Sequence, residues 1–106
     1  MLRAKVEKKG EHRMEDFKVN ICGVPYKVYH KEDAFKSDAL HFGEIIYKES
    51  EIILSTGMNE ELEKETLIHE IVHGVLWHIG RDDLNNEQFV QALAQAISGS
   101  VEVKKG

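Results

Sequence analysis

The residues best suited to chemistry stand together in Thr66-Leu67-Ile68-His69-Glu70-Ile71-Val72-His73-Gly74. Read as helix, at about 100° per residue, this stretch sets His69 and His73 one turn apart and only about 40° out of line. Two imidazoles so placed can grip one metal ion from the same side. Glu70 lies about 100° round from His69, where it can serve a metal-bound water without being a ligand. The pattern is H-E-x-x-H, whose physical content is two zinc ligands and a carboxylate general base.

With 6 histidines in 106 residues, chance places the pattern in a chain of this composition roughly 0.04 times, so its surroundings have to decide. They favour a helix. Ile68, Ile71, Val72, Val75, Leu76 and Ile79 recur at i, i+3, i+4, i+7, i+8 and i+11, the spacing of a helix with one buried face. The two histidines fall along the edge of that apolar stripe, where the wall of a cleft belongs. The competing reading is a pair of half-buried histidines satisfied by hydrogen bonds.

A catalytic zinc takes three protein ligands and keeps one position open. Downstream of the motif the candidates are His78, Asp82, Asp83 and Glu87. His78 follows His73 by five residues, which turns it about 140° away on a continuing helix. Asp82 and Asp83 occupy a short connection, close in sequence to the motif. Glu87 opens a second helical pattern, with Val90, Ala94 and Ile97 following it at +3, +7 and +10, beside that helix's apolar face. The competing reading of Glu87 is an exposed acid that merely suits a helix N-terminus. Gln91, one turn further on, can support a ligating histidine or orient Glu87, or can simply be solvated. Trp77, one turn after His73, is a candidate cleft wall or a core residue, and Gly74 can admit a second helix or a strand at close range.

The elements that must position these residues are legible in outline. Residues 1–15 are charged and poorly patterned, and read as a flexible leader to a single domain over 16–106. Phe17, Val19 and Ile21 alternate with polar neighbours, Gly23-Val24-Pro25 interrupts, and Tyr26, Val28 and His30 resume, which predicts two strands joined by a tight turn. Lys31 to Ala39 is turn-like. Leu40 to Tyr47 and Glu51 to Ser55 read as a third and a fourth strand around Lys48-Glu49-Ser50, and the Ile52-Ile53-Leu54 run predicts cover on part of both faces.

Asn59 is a candidate N-cap, with Glu60 and Glu61 in the first turn. The long helix runs to about Ile79, and Gly80 suits its left-handed C-terminal residue. Asn85 or Asn86 caps a last helix carrying Phe89, Val90, Leu93, Ala94 and Ile97, ending near Gly99. The tail from Val101 alternates briefly. The expected architecture is α+β: a small antiparallel or mixed sheet of about four strands, then a long active-site helix and a second, C-terminal helix.

Composition bounds the class. Charged residues are 31% and hydrophobic ones 42% of the chain, with a net charge of −5, so a nucleic-acid partner held by a basic surface is disfavoured. No apolar run nears the length that spans a membrane, and Met1 to Lys9 lacks the apolar segment of a secretory signal. Cys22 is the only cysteine, which removes an internal disulfide and thiolate ligation and points to a cytoplasmic setting. Beside Gly23 it reads as a small core residue.

With His69-Glu70-x-x-His73 and a downstream Glu87-x-x-x-Gln91 on a second helix, the sequence resembles the small zinc metallopeptidases of the gluzincin type. In particular it is similar to the minimal ImmA/IrrE-like metallo-endopeptidases often encoded by phages and other mobile elements. The likeness covers roughly residues 17 to 99 in layout and residues 66 to 94 in specific motifs. It implies zinc (Zn2+) on His69, His73 and Glu87, Glu70 as general base, and a strand edge above the active-site helix where an extended peptide adds. By analogy it implies a protein or peptide substrate such as a repressor. The chain departs from the pattern in its small size and in showing no partner-binding extension. An oxyanion-stabilising residue is unassigned among His41, Tyr47 and His78. The related SprT-like proteins use a third histidine after the motif, and none here is suitably placed. The alternative function is an inactive metal-binding interaction protein, an anti-repressor or phage accessory protein.

Overall fold

The computed structural model describes residues 15–32 and 42–100. The chain runs through β1 (Glu15–Ile21), β2 (Val24–Lys31), β3 (Gly43–Ile46), a 3-10 turn (Tyr47–Glu49), β4 (Glu51–Ser55), α1 (Glu60–His78) and α2 (Glu87–Ser98). The expected leader up to residue 14, residues 33–39 of the turn-like stretch, Leu40, His41 and the C-terminal tail lie outside the described residues; Glu15 already belongs to β1, and Lys31 closes β2 instead of opening the turn. Tyr47 leaves the third strand and opens the 3-10 turn.

The first two strands form a hairpin through Cys22 and Gly23, whose φ angles are 53° and 86°. Two successive left-handed residues make the turn whose twist matches that of a hairpin. This corrects the expectation for Cys22: it is exposed at the turn and not packed in the core. The sheet order is β1-β2-β4-β3. The β1/β2 and β3/β4 pairs are antiparallel, and β2 runs parallel to β4 with Lys27 opposite Glu51 and Lys31 opposite Ser55. The interior strand β4 buries Ile52 and Leu54 on one face and Ile53 on the other, as its unbroken apolar run requires. Among the described residues the short strand β3 is an edge of the sheet.

The helix α1 is buried on two sides, where the spacing of its apolar residues predicts one. Leu67, Ile71 and Val75 pack with Ile21, Tyr26, Val28, Ile52 and Leu54 of the sheet. Ile68, Val72 and Leu76 pack instead with Val90 and Ala94 of α2, joined by Leu84 and Ile97. The domain is therefore three layers, sheet on α1 on α2. Each fully buried aliphatic side chain in these two contacts contributes about 1.5–3 kcal/mol, so both faces of α1 are fixed. Ile79 belongs to neither face; it follows the last helical residue and is exposed. Gly74 permits the close approach to the sheet: a Cβ there would lie 2.9 Å from Ile21 Cδ1 and 3.0 Å from Ile45 Cδ1. The neighbour admitted is thus strand side chains and not the second helix.

Candidate metal centre

The helix ends decide what meets across the α1–α2 contact. Asn59 caps α1 by accepting from the Leu62 amide at 2.8 Å. At the other end Gly80, with φ of 76°, sends its amide to the Trp77 carbonyl while Arg81 sends its own to Leu76. That double bond pattern is a Schellman motif, and only a residue tolerant of the left-handed region turns the chain so sharply. Amide-to-carbonyl bonds from Leu84 to Arg81, Asn85 to Asp82 and Asn86 to Leu84 then stiffen the connection. Asn86 caps α2 by accepting from Phe89. The reversal carries the first turn of α2 back over the middle of α1.

His69, His73 and Glu87 converge there. The Nε2 atom of His69 lies 3.0 Å from Oε1 of Glu87, and that of His73 lies 2.8 Å from Oε2. One ligand atom from each of the three residues lies within 4.8 Å of the others. Both imidazoles are largely covered, at 14% side-chain exposure, whereas Glu87 is 77% exposed. Glu87 thus reaches the histidines from the solvent side, not from beside the buried face of α2.

The opposite ring atoms are held as well. His69 Nδ1 stands 2.7 Å from Gln91 Oε1, and His73 Nδ1 stands 2.6 Å from Asn85 Oδ1. Which ring nitrogen carries a proton follows from the amides. Gln91 donates its Nε2 to the Glu65 carboxylate at 2.7 Å, so its oxygen faces His69 and must accept. Asn85 directs its Nδ2 to the His73 carbonyl at 3.4 Å, so its oxygen likewise faces the ring. Both Nδ1 atoms are therefore the protonated ones. In neutral imidazoles this leaves both Nε2 lone pairs facing a carboxylate, an arrangement that either a second ring proton or a bound cation satisfies. Two imidazoles and one carboxylate form a donor set that could hold a metal ion, each histidine steadied by its other nitrogen.

Glu70 does not join the cluster. Among the described residues it is the buried charged one, 7% exposed, and its Cγ would be 3.4 Å from a Cβ on Gly43. Its stem thus passes beneath edge strand β3, and a buried carboxylate at the margin of such a cluster is a candidate for chemistry. Tyr47 stands beside it. The Tyr47 hydroxyl donates to the His73 carbonyl at 3.4 Å. Burial pushes this hydroxyl above the usual tyrosine range; a hydrogen bond with Asn85 opposes that, and the charges of Glu70, Asp82 and Glu87 reinforce it. At neutral pH Tyr47 is a donor.

The remaining candidates go elsewhere. His78 pairs with the buried Tyr26 hydroxyl at 2.8 Å, on the sheet side of α1. Asp83 pairs with Arg81 at 2.7 Å on the surface, which holds its carboxyl below the ordinary range, and Asp82 is an exposed residue of the same connection. His41 lies outside the described residues. Trp77 is 46% exposed and stacks flat on Tyr47, centroids 4.6 Å apart and planes 6° off parallel. It is therefore exposed and not core. Asn85 holds His73, a contact that its position as a candidate cap does not signal in the sequence. No described helix is long and apolar enough to cross a membrane. Compared with family models, curated proteins and solved structures, the chain matches none.

Proposed function

We propose that the chain is a zinc-dependent metallopeptidase of the minimal ImmA/IrrE-like kind, hydrolysing peptide bonds in a protein such as a repressor. The observation that carries this reading is the convergence of two imidazoles and one carboxylate, each ring held at Nδ1 by a carboxamide so that its Nε2 can serve as a metal ligand. A zinc ion there supplies Lewis acidity, lowering the pKa of a coordinated water towards neutrality and polarising a scissile carbonyl. Glu70 takes the attacking water's proton and returns it to the leaving amine. Tyr47, kept protonated by its burial, is the candidate donor to the developing oxyanion once its hydroxyl turns from the His73 carbonyl. Edge strand β3 has β4 on one side, and its other side accepts an extended peptide.

The exposure of Glu87 favours an open coordination position over one closed by protein groups, and so the enzyme over the inactive interaction module. Protein purified without a metal-affinity tag should carry about one zinc per chain, lost in Glu87→Ala. Hydrolysis of a casein or peptide-library substrate should follow zinc content. A protein that takes up no zinc at micromolar concentration overturns the proposal. Zinc with four protein ligands and no hydrolysis establishes the interaction module instead.

A further inference from the structure

We infer that the Trp77–Tyr47 stack is the specificity subsite of the proposed peptidase, selecting substrates with an aromatic or large apolar side chain within two residues of the scissile bond. The inference rests on the metal centre proposed above and adds the substrate class. His69, His73 and Trp77 succeed one another at four-residue intervals on α1. They therefore form a single row, with Trp77 about 6 Å beyond His73 along the helix axis. An extended peptide rises about 3.3 Å per residue, so a residue one or two positions from a carbonyl at the metal comes level with the indole.

The indole is held for that use. Tyr47 covers one of its faces at 4.6 Å with planes 6° off parallel, and His78 meets it edge-on at 4.9 Å. Tyr47 is itself anchored by its hydroxyl on the His73 carbonyl. The platform is thus tied to a ligating residue by one stacking contact and one hydrogen bond. Even so, 46% of Trp77 stays exposed, an unburied aromatic surface next to the site and a good partner for another ring.

Trp77 is the only tryptophan in the chain, so its fluorescence reports the subsite directly. The test titrates zinc-loaded protein with phenylalanine hydroxamate and with alanine hydroxamate, which share a metal-chelating group and differ in one ring. Phenylalanine hydroxamate should bind about tenfold more tightly and change the indole emission, a preference of the size that ring stacking supplies. Trp77→Ala should bring the two affinities to within about twofold, while Trp77→Phe, which keeps a ring, should retain most of the preference. A purely structural Trp77 would weaken both hydroxamates alike and leave their ratio unchanged. Equal affinities in the unaltered protein, or a ratio unmoved in Trp77→Ala, overturn the subsite and leave the metal centre standing. If neither hydroxamate binds the zinc-loaded protein, the metal centre fails and the subsite falls with it.

Discussion

His73 Nδ1 lies 2.6 Å from Asn85 Oδ1, a bond between the middle of the motif helix and the loop that follows it. The same job is done for His69 by Gln91, which comes from α2 and is itself braced by Glu65. The two histidines are therefore oriented by carboxamides from different elements. Each carboxamide accepts one Nδ1 proton and leaves one Nε2 facing Glu87. The site depends on the turn at Gly80 twice, once for Glu87 and once for Asn85.

Asn85→Ala should weaken zinc binding about 10- to 100-fold, the usual loss when a ligating histidine loses its outer partner. Asn85→Asp should do the reverse, since a carboxylate makes the imidazole more basic. Competition against a chromophoric chelator measures both. Unchanged affinity in Asn85→Ala would show that the loop contact does not steady the ring. Gln91→Ala should resemble Asn85→Ala, because the two amides act on equivalent rings.

Glu70 makes a cleaner separation. The three candidate ligands do not include it, so Glu70→Gln should leave zinc affinity nearly unchanged. Hydrolysis should fall about 10²- to 10⁴-fold, the usual contribution of a positioned general base. The glutamine is close in shape, so a thermal melt should register little change. Undiminished hydrolysis by a clean preparation would remove Glu70 from the mechanism.

Much of this architecture is legible in the residues. Asn59, Gly80 and the apolar spacing bound α1, and Glu87 with Val90, Ala94 and Ile97 places the third candidate ligand on α2. What the spacing hides is physical. Ile68, Ile71, Val72 and Val75 read as one stripe because wheel position does not say which layer each residue meets. The stripe is in fact split between sheet and α2. The parallel pairing of β2 with β4 is equally silent, since alternation is the same for either direction. Cys22 has the composition of a core residue, but a two-residue turn demands a left-handed conformation there. Asn85 and Asn86 are identical side chains one position apart, and only the folded turn decides which caps α2 and which holds His73.

The contact of β3 with α1 yields a prediction about strand and base together. A methyl group at Gly43 would sit 2.7 Å from Thr66 Cγ2, 3.2 Å from Leu54 Cδ2 and 3.4 Å from Glu70 Cγ. Gly43→Ala should cost about 1–3 kcal/mol in denaturant unfolding, as overpacking generally does. The displacement falls on Thr66, one turn before Glu70 on α1, and on Leu54, not on the histidines. Hydrolysis should therefore drop further than zinc affinity, and equal losses in both would mean that the edge strand does not set the position of the base.

Tyr26 links the fold to pH. It is fully buried, and its hydroxyl bonds to His78 Nε2 at 2.8 Å. Burial raises its pKa above 10.0, with Tyr47 and Cys22 adding to the rise. The folded state thus binds this proton more tightly than the unfolded chain does. Its contribution is complete below the unfolded value near 10 and disappears as pH rises from there through the folded value. Tyr26→Phe lacks both the proton and the bond. At neutral pH it should be less stable by about 0.5–1.5 kcal/mol, the worth of one hydrogen bond. Above about pH 10 the deficit should shrink, because only the unaltered protein has a phenol left to ionise on unfolding. Tyr47 is present in both proteins, so its own ionisation cancels apart from its coupling to Tyr26. Urea unfolding at several alkaline pH values measures the gap, and a deficit that stays constant past pH 10 would show that Tyr26 ionises as freely in the fold as in the open chain.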